Sequence, residues 1–464
     1  MIVPRTRLLL WVALIVLPFS AIGSTVPGAL EISAWLIGGL VTLVLADALL
    51  ARGRLDGLRV ELPGLVRLQK DRPGFLGVRI HNEPQTARPI RLGFAFPQEI
   101  AAEDDRTALL PAGAVSSRIE WPLAPSKRGL YLLDRAYLEG VSPLGFWSVR
   151  RSQPVRAELR VYPNLFDERK NVAAVFLRRA NLGAIAQRRA GQGREFEKLR
   201  EYLPGDSLTD VHWKASAKRG HPVTKVFQIE RTQEVYVIVD VSRLSARAVR
   251  VEGGGGKWSA ASSADGAIPP STFTLHSTLE RYVTSALILG LAAEQQGDQF
   301  GLVTFSDRVL SFVRAKSGQA HYDACRDRLY TLQPQGVSPD FEELCSFLRL
   351  RLRKRALLIF LTTLDDPMLA ESFARATELI NRQHLLLVNM LQPEGATPLF
   401  SDGAPAGDLD DVYGRLGGHL RWRDLRDLSK TLERRGVRFS LLDPTRLAAQ
   451  LVAQHAEVKG RQLV

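Results

Sequence analysis

The stretch EVYVIVDVS, Glu234 to Ser242, is an unbroken apolar run that closes on an aspartate and a serine. A short run of this kind, without polar alternation, is the pattern of a strand buried on both faces of a parallel sheet. Its polar end then lies at the strand's carboxyl terminus, where open α/β sheets gather their ligands. Downstream, an amphipathic helix is expected from about Leu275 to Gln296, followed by QFGLVTFS and RVLSFVRA as strands. RALLIFLTTL, HLLLVNML and VRFSLLD read as further strands, each flanked by helical pattern. Strands alternating with helices over residues 232–464 predict a doubly wound α/β domain. Residues 253–271, rich in Gly, Ser and Ala, read as a disordered loop within it.

That architecture places Asp240, Ser242, Ser245, Ser338, Asp340, Thr363, Asp365 and Asp366 on loops above one edge of the sheet. Hydroxyls and carboxylates are the ligands a hard cation such as Mg²⁺ takes, and an open coordination position would accept a partner's carboxylate. The competing reading is that these residues cap helices and close turns, as Ser, Thr and Asp commonly do.

Immediately upstream lies GREFEKLREYLPGDSLTDVHWKASAKRG, Gly193 to Gly220, inside a connector spanning 166–231. Pro204 and Gly205 set a tight turn after which a helix is expected, with Ser207 and Asp210 as a capping box and Asp206 favouring the helix N-terminus. Val211, Ala215 and Trp213 are the side chains that would meet apolar surface, while Phe196, Leu199 and Tyr202 pack in a segment that suits helix or strand. A catalytic reading takes Glu195, Glu201, Asp206, Asp210, His212 and Lys214 together, with His212 as acid or base. The structural reading makes the segment a rigid docking connector, its arginines and carboxylates pairing with each other or with a partner.

From Leu55 to about residue 165 the apolar residues alternate, as in Leu58, Val60 and Leu62 or Ile90, Leu92, Phe94 and Phe96. About seven short strands in about a hundred residues predict an immunoglobulin-like β-sandwich, with SPLGFW as a turn and a role as spacer. Before it, Leu8 to Leu30 and Ile32 to Ala46 are two apolar runs, the second closed by Asp47. Each approaches the length of a membrane-spanning helix. Arg5 and Arg7 precede the first, Arg52 and Arg54 follow the second, and the intervening GSTVPG carries no cation. Residues 1–52 therefore read as a two-pass hairpin with both ends in the cytoplasm, in preference to a cleaved signal peptide.

The chain of 464 residues carries 62 Lys and Arg against 49 Asp and Glu, a surplus of +13. Between Arg150 and Arg219 there are 16 basic and 8 acidic side chains, so +8 of that surplus falls in the middle of the chain. Few aromatics interleave these cations and no nucleic-acid module is recognisable, so a basic face near anionic headgroups is favoured over nucleic-acid binding. Cys325 and Cys345 lack metal or redox spacing and read as reduced packing residues.

The Gly193–Gly220 stretch, together with KVFQIERTQEVYVIVDVS, closely resembles the signature of the bacterial family called domain of unknown function 58; PLGFW and the paired N-terminal apolar runs extend the resemblance weakly. The signature residues it carries are Glu195, Phe196, Leu199, Arg200, Tyr202, Pro204, Gly205, Asp206, Asp210, Trp213 and Lys214. The domain beginning at Thr232 resembles the von Willebrand factor A domain, whose metal-ion-dependent adhesion site takes an Asp, two Ser at alternate positions, a later Thr and a later Asp. Asp240 and Ser242 fit that pattern. Leu244 stands where the second Ser belongs, with Ser245 one place on; Ser338 takes the Thr position, and Thr363 the later Asp position with Asp365 two residues beyond. The resemblance implies a membrane-anchored, non-enzymatic adaptor working with a MoxR-type AAA+ ATPase and other von Willebrand-like proteins, with Mg²⁺ as its conceivable cofactor. The alternative is a hydrolase using the polar loops or the signature carboxylates, although no nucleophile elbow, P-loop or HExxH motif accompanies it.

Overall fold

The computed structural model describes residues 1–26, 28–166, 195–203, 207–228, 233–252, 273–399, 401 and 408–461. The expected loop at 253–271, and Pro204, Gly205 and Asp206 of the signature, lie outside the described residues. The chain divides into two compact units, Met1–Asn164 and Leu165–Val464.

In the first unit, helices α1 (Thr6–Thr25) and α2 (Leu30–Ala51) are long and apolar enough to cross a membrane, by length and composition. Helix α2 runs through Asp47, which closes the apolar run, and ends at Ala51, within the expected hairpin of residues 1–52. Asp47 is fully buried and satisfied by protein donors. Ser142 Oγ donates to its Oδ2 at 2.6 Å, and the backbone amides of Leu144 and Phe146 donate at 3.0 and 3.2 Å. Trp147 Nε1 adds a bond to the Val44 carbonyl at 2.9 Å, so the SPLGFW turn clamps the end of α2. Ahead of α1, a short strand β1 (Ile2–Pro4) pairs antiparallel with Trp147–Val149, an element the sequence had not suggested.

The strands of this unit are β2 (Leu58–Glu61), β3 (Leu65–Gln69), β4 (Gly74–Asn82), β5 (Arg88–Phe94), β6 (Ile100–Ala102), β7 (Asp105–Leu110), β8 (Ser116–Pro125), β9 (Gly129–Val141) and β10 (Trp147–Tyr162). One sheet runs β1-β10-β9-β5-β7 with β3 parallel to β10; the other runs β2-β4-β8-β6. Alternation along β4 and β5 turns Leu76, Val78, Ile80, Ile90, Leu92 and Phe94 into one shared core. Trp121 is fully buried there, edge-on to Phe94 at 5.1 Å, with its Nε1 donating to the Glu103 carbonyl at 3.0 Å.

The second unit begins with β11 (Glu195–Glu201), α3 (Trp213–Arg219) and β12 (Val223–Gln228), in which β11 and β12 form an antiparallel ribbon. Its main sheet contains β13 (Glu234–Asp240), β16 (Gln299–Phe305), β17 (Val309–Lys316), β18 (Leu357–Leu361), β19 (Leu385–Leu391) and β20 (Arg438–Leu442); the side ribbon of β14 (Ala248–Glu252) and β15 (Phe273–Ser277) stands apart. The order is β17-β16-β13-β18-β19-β20, all parallel except the antiparallel edge strand β17.

Helices cover both faces, as the unalternating apolar runs require. Val235, Val237 and Val239 pack beneath α4 (Thr278–Gln295), α5 (Gln319–Leu329) and α9 (Leu447–Gly460). Ile238, Phe360 and Val388 pack beneath α6 (Phe341–Arg351), α7 (Pro367–Ala376) and α8 (Leu409–Arg434). Helix α4 starts at Thr278, later than the expected Leu275, because β15 occupies the preceding residues and Ser277 caps the helix, accepting from Glu280 N at 3.2 Å. Both cysteines are buried packing residues, their thiols pushed up to about 12 by burial.

Candidate functional site

The strand order reverses beside β13, because the chain passes from β13 to β16 on one side and returns to β18 on the other. The carboxyl ends of these three strands therefore form the crevice at which a doubly wound sheet holds a ligand. Asp240 ends β13 and is buried. Thr362 Oγ1 donates to its Oδ2 at 2.6 Å, and the Ser242 amide donates to its Oδ1 at 2.8 Å. Burial raises the Asp240 carboxyl above the usual carboxylate range, and the bonds from Thr362 and Ser242 offset only part of that shift.

Each remaining side chain in this crevice has a local task. Ser242 caps the turn Arg243–Ala246 by accepting from Leu244 N at 3.4 Å, and Ser245 Oγ donates to the Ser242 carbonyl at 2.8 Å. The loop after α5 is fastened across the sheet edge: Gln335 N donates to the Val241 carbonyl at 2.7 Å, Arg243 N to the Val337 carbonyl at 2.9 Å, and Asp340 N to the Ser306 carbonyl at 2.9 Å. Ser338 Oγ accepts from Arg243 Nε at 3.1 Å. Asp340 caps α6 and Asp366 caps α7, each accepting from two backbone amides. Asp365 is ion-paired with Arg247.

The structure thus brings Asp240, Ser242 and Ser245 together but commits Ser338 and Asp365 to arginines. Thr362, and not the neighbouring Thr363, reaches Asp240, since Thr363 faces Tyr282 on the other side of the sheet. The donor set is all oxygen, which suits Mg²⁺ chemically. As arranged, however, both Asp240 oxygens accept hydrogen bonds and a guanidinium already neutralises Asp365, so these residues do not fit a cation. Among the described residues no group of three or more His, Cys, Asp or Glu is placed to hold a metal. Arg247, Thr362, Ser306 and Gln335 went unnoticed in the sequence because none stands in a recognisable spacing to Asp240.

The connector signature folds differently from its expectation. Ser207 accepts from Thr209 N at 3.4 Å and starts a single 3₁₀ turn ending at Asp210, and Val211 then drops into an extended bridge with Thr224. This bridge interrupts the helix, which restarts at Trp213 with His212 Nδ1 as cap, accepting from Ala215 N at 3.1 Å. Val211 is buried as expected, but Trp213 is 68% exposed, together with Lys214. Ser216 Oγ accepts from Val223 N at 2.8 Å and the Tyr202 amide donates to the Pro222 carbonyl at 3.0 Å, locking helix and ribbon together. Glu195 and Phe196 stand opposite Gln228 and Phe227, and Leu199 and Arg200 opposite Lys225 and Thr224.

The family model described as Protein of unknown function DUF58 matches residues 198–250 and 271–401, which take in most of the connector ribbon and the sheet through β19. No curated protein matches the sequence. Among the solved structures that resemble the chain are the following three. An aerotolerance-related membrane protein from Bacteroides fragilis NCTC 9343 does so at 15% identity and TM-score 0.28, over 48% of this chain and 98% of its own. BatB from Bacteroides thetaiotaomicron, a conserved hypothetical protein, does so at 15% identity and TM-score 0.29, over 49% and 99%. The SpRpn10 VWA domain gives 10% identity and TM-score 0.25, over 48% and 95%. These likenesses are slight, and the fold rests on the strand order itself.

Proposed function

We propose that the chain is a membrane-anchored, non-enzymatic interaction protein that uses the carboxyl edge of its C-terminal sheet to grip a partner. The observation that carries this reading is the use of the polar groups at that edge. Asp240, Ser242, Ser245, Asp340 and Asp366 hold the loops in place, while Arg243 and Arg247 stay exposed on the rim. Rigid loops with exposed cations suit recognition of a partner's carboxylates, for which guanidinium geometry is well matched. Arg243, whose Nε donates to the neutral Ser338 hydroxyl, then supplies the positive charge that a metal supplies in an adhesion site, beside the Arg247–Asp365 pair, and the grip is metal-independent. His212, the candidate acid or base, is occupied as a helix cap.

The head reads as von Willebrand factor A-like on its strand order and its Asp-Ser turn. The N-terminal β unit reads as an immunoglobulin-like spacer on its two sheets and buried Trp121. Exposed Leu203, Leu208 and Trp213 make the connector a second contact surface. The cytoplasmic orientation follows from arginine bias, and the MoxR-type AAA+ partner from the family resemblance alone.

The experiment is crosslinking of the full-length protein in its native membrane, with captured chains identified by mass spectrometry, beside Asp240→Ala and Arg243→Glu. An AAA+ ATPase captured by the wild type and lost with Arg243→Glu is the expected result, unchanged by chelation of divalent cations. Capture that disappears on chelation restores the metal, and capture of no ATPase removes the assigned partner.

A further inference from the structure

The short helix α3 turns a small side inward and a large, charged side outward. Ser216 Oγ accepts from Val223 N at 2.8 Å and, with half-buried Ala215, seats the helix on the connector ribbon. At about 100° per residue, Trp213, Ala217, Lys214 and Lys218 spread over an arc of about 140° centred opposite that seat. All four are exposed, Trp213 to 68%. Among the described residues the Trp213 indole N–H meets no acceptor and neither lysine makes an ion pair. From Val211 to Lys225 the chain holds no acidic residue, and the Glu201 carboxylate faces His221 at 3.7 Å. Leu203 and Leu208, also exposed, precede the helix.

The composition of this face says what covers it. Lysine is depleted at protein interfaces, where arginine is the favoured cation. Lysines lay their long stems along apolar surface while the ammonium stays wet, and an indole, apolar in its ring and polar at its N–H, settles at membrane–water boundaries for a related reason. An exposed Trp flanked by lysines, with no carboxylate beside it on the helix, is complementary to anionic headgroups. The anchor adds proximity. Helices α1 and α2 are long and apolar enough to cross a membrane, and a two-pass hairpin returns the chain to the side it left, so in an anchored chain α3 works beside one leaflet. A contact made within a tethered molecule needs little affinity of its own.

We propose that the exposed face of α3 docks on the anionic phospholipid surface of the membrane that anchors the chain, with the Trp213 ring among the headgroups and Lys214 and Lys218 against their phosphates. Docking of this kind presupposes the anchored chain proposed above and gives the connector surface a lipid partner in place of a protein.

The test uses the full-length protein reconstituted into vesicles of phosphatidylcholine alone or with phosphatidylglycerol, carrying Ala217→Cys labelled with an environment-sensitive fluorophore; the native Cys325 and Cys345 are buried and give little background. Nitroxide-bearing lipids are expected to quench the probe in the phosphatidylglycerol vesicles, weakly in phosphatidylcholine alone, and not when the probe sits at Leu350→Cys, an 80% exposed position on α6. Lys214→Glu with Lys218→Glu should lower the ratio of docked to free protein about tenfold or more, and Trp213→Ala should lower it as well, with melting temperatures unchanged because all three side chains are exposed. Failure of the protein to co-float with the vesicles overturns the anchored reading and the docking with it, whereas co-flotation without quenching overturns the docking alone. Equal quenching in both lipid mixtures, equal quenching at 350, or full quenching in the charge-reversed variant also overturns the docking, as does a photoreactive probe at 217 that crosslinks in native membranes to a protein and not to lipid.

Discussion

Two buried aspartates in the C-terminal unit are shifted in opposite directions by their surroundings. Asp298 is fully buried in the turn between α4 and β16. Its burial alone would raise the carboxyl, but His455 at 3.1 Å, Lys459 at 2.9 Å and the Gln233 amide at 3.1 Å outweigh burial and hold it below the usual range. A depressed carboxyl contributes stability above its unfolded value of about 3.9, and loses it as pH falls through the folded value. Asp240 is raised, so its contribution is complete below the unfolded value and is lost as pH rises through the folded one. Asp298→Asn should therefore cost about 3 kcal/mol at neutral pH, because it leaves Lys459 facing a neutral group, and flatten the acid limb of a melting-temperature profile. Asp240→Asn should change neutral stability by no more than about 1 kcal/mol and flatten the decline that sets in as pH rises above the unfolded value of about 3.9. The reverse assignment of limbs would show that the two environments have been read the wrong way round.

At the scale of elements, the antiparallel edge of the sheet depends on a glycine. Gly301 in β16 lies directly beneath the ring of Tyr236 in β13, and a Cβ there would run into that ring and approach the Ala315 amide to 3.0 Å. Tyr236 cannot yield easily: it is fully buried, stacks on Phe312 at 6.1 Å, and its hydroxyl accepts from Ala315 N at 3.2 Å. Burial pushes that hydroxyl up to about 12, so it stays a neutral hydrogen-bonding group. Gly301→Ala is expected to cost about 1–3 kcal/mol or more through overpacking, read as a lower melting temperature. Gly336→Ala, where a Cβ meets nothing, should be close to neutral. Equal melting temperatures for the two variants would mean that β17 can move away from β13 without loss.

For the whole molecule, the testable matter is which side of the membrane each unit occupies. Val26 sits in the short turn between α1 and α2 and is exposed, as is Leu109 in β7. With the native thiols buried, Val26→Cys in intact cells should react with an impermeant maleimide from outside, and Leu109→Cys only after permeabilisation. Labelling of Leu109→Cys in intact cells would place the β unit outside and invert the topology. The clamp between Asp47 and the SPLGFW turn gives this arrangement a mechanical meaning, because α2 and the β unit are joined by buried hydrogen bonds as well as by the chain.

The doubly wound sheet, the two apolar helices and the inert cysteines were legible in the sequence, because unalternating apolar runs, long uncharged stretches and spacing are local properties of the chain. Aspartates and serines at the carboxyl ends of strands were legible for the same reason, as residues that end an apolar run. Their employment was not. That Asp240 is held by Thr362, that Arg247 neutralises Asp365, and that Asp47 lies inside protein depend on residues about a hundred positions apart meeting in space. The interruption of the connector helix had the same origin, since Val211 answers to Thr224 across a bridge and not to its neighbours. Local pattern determined which elements form and which side chains stand at their ends; only tertiary packing decided their partners, because burial, charge compensation and hydrogen bonding at this edge are supplied by distant parts of the chain.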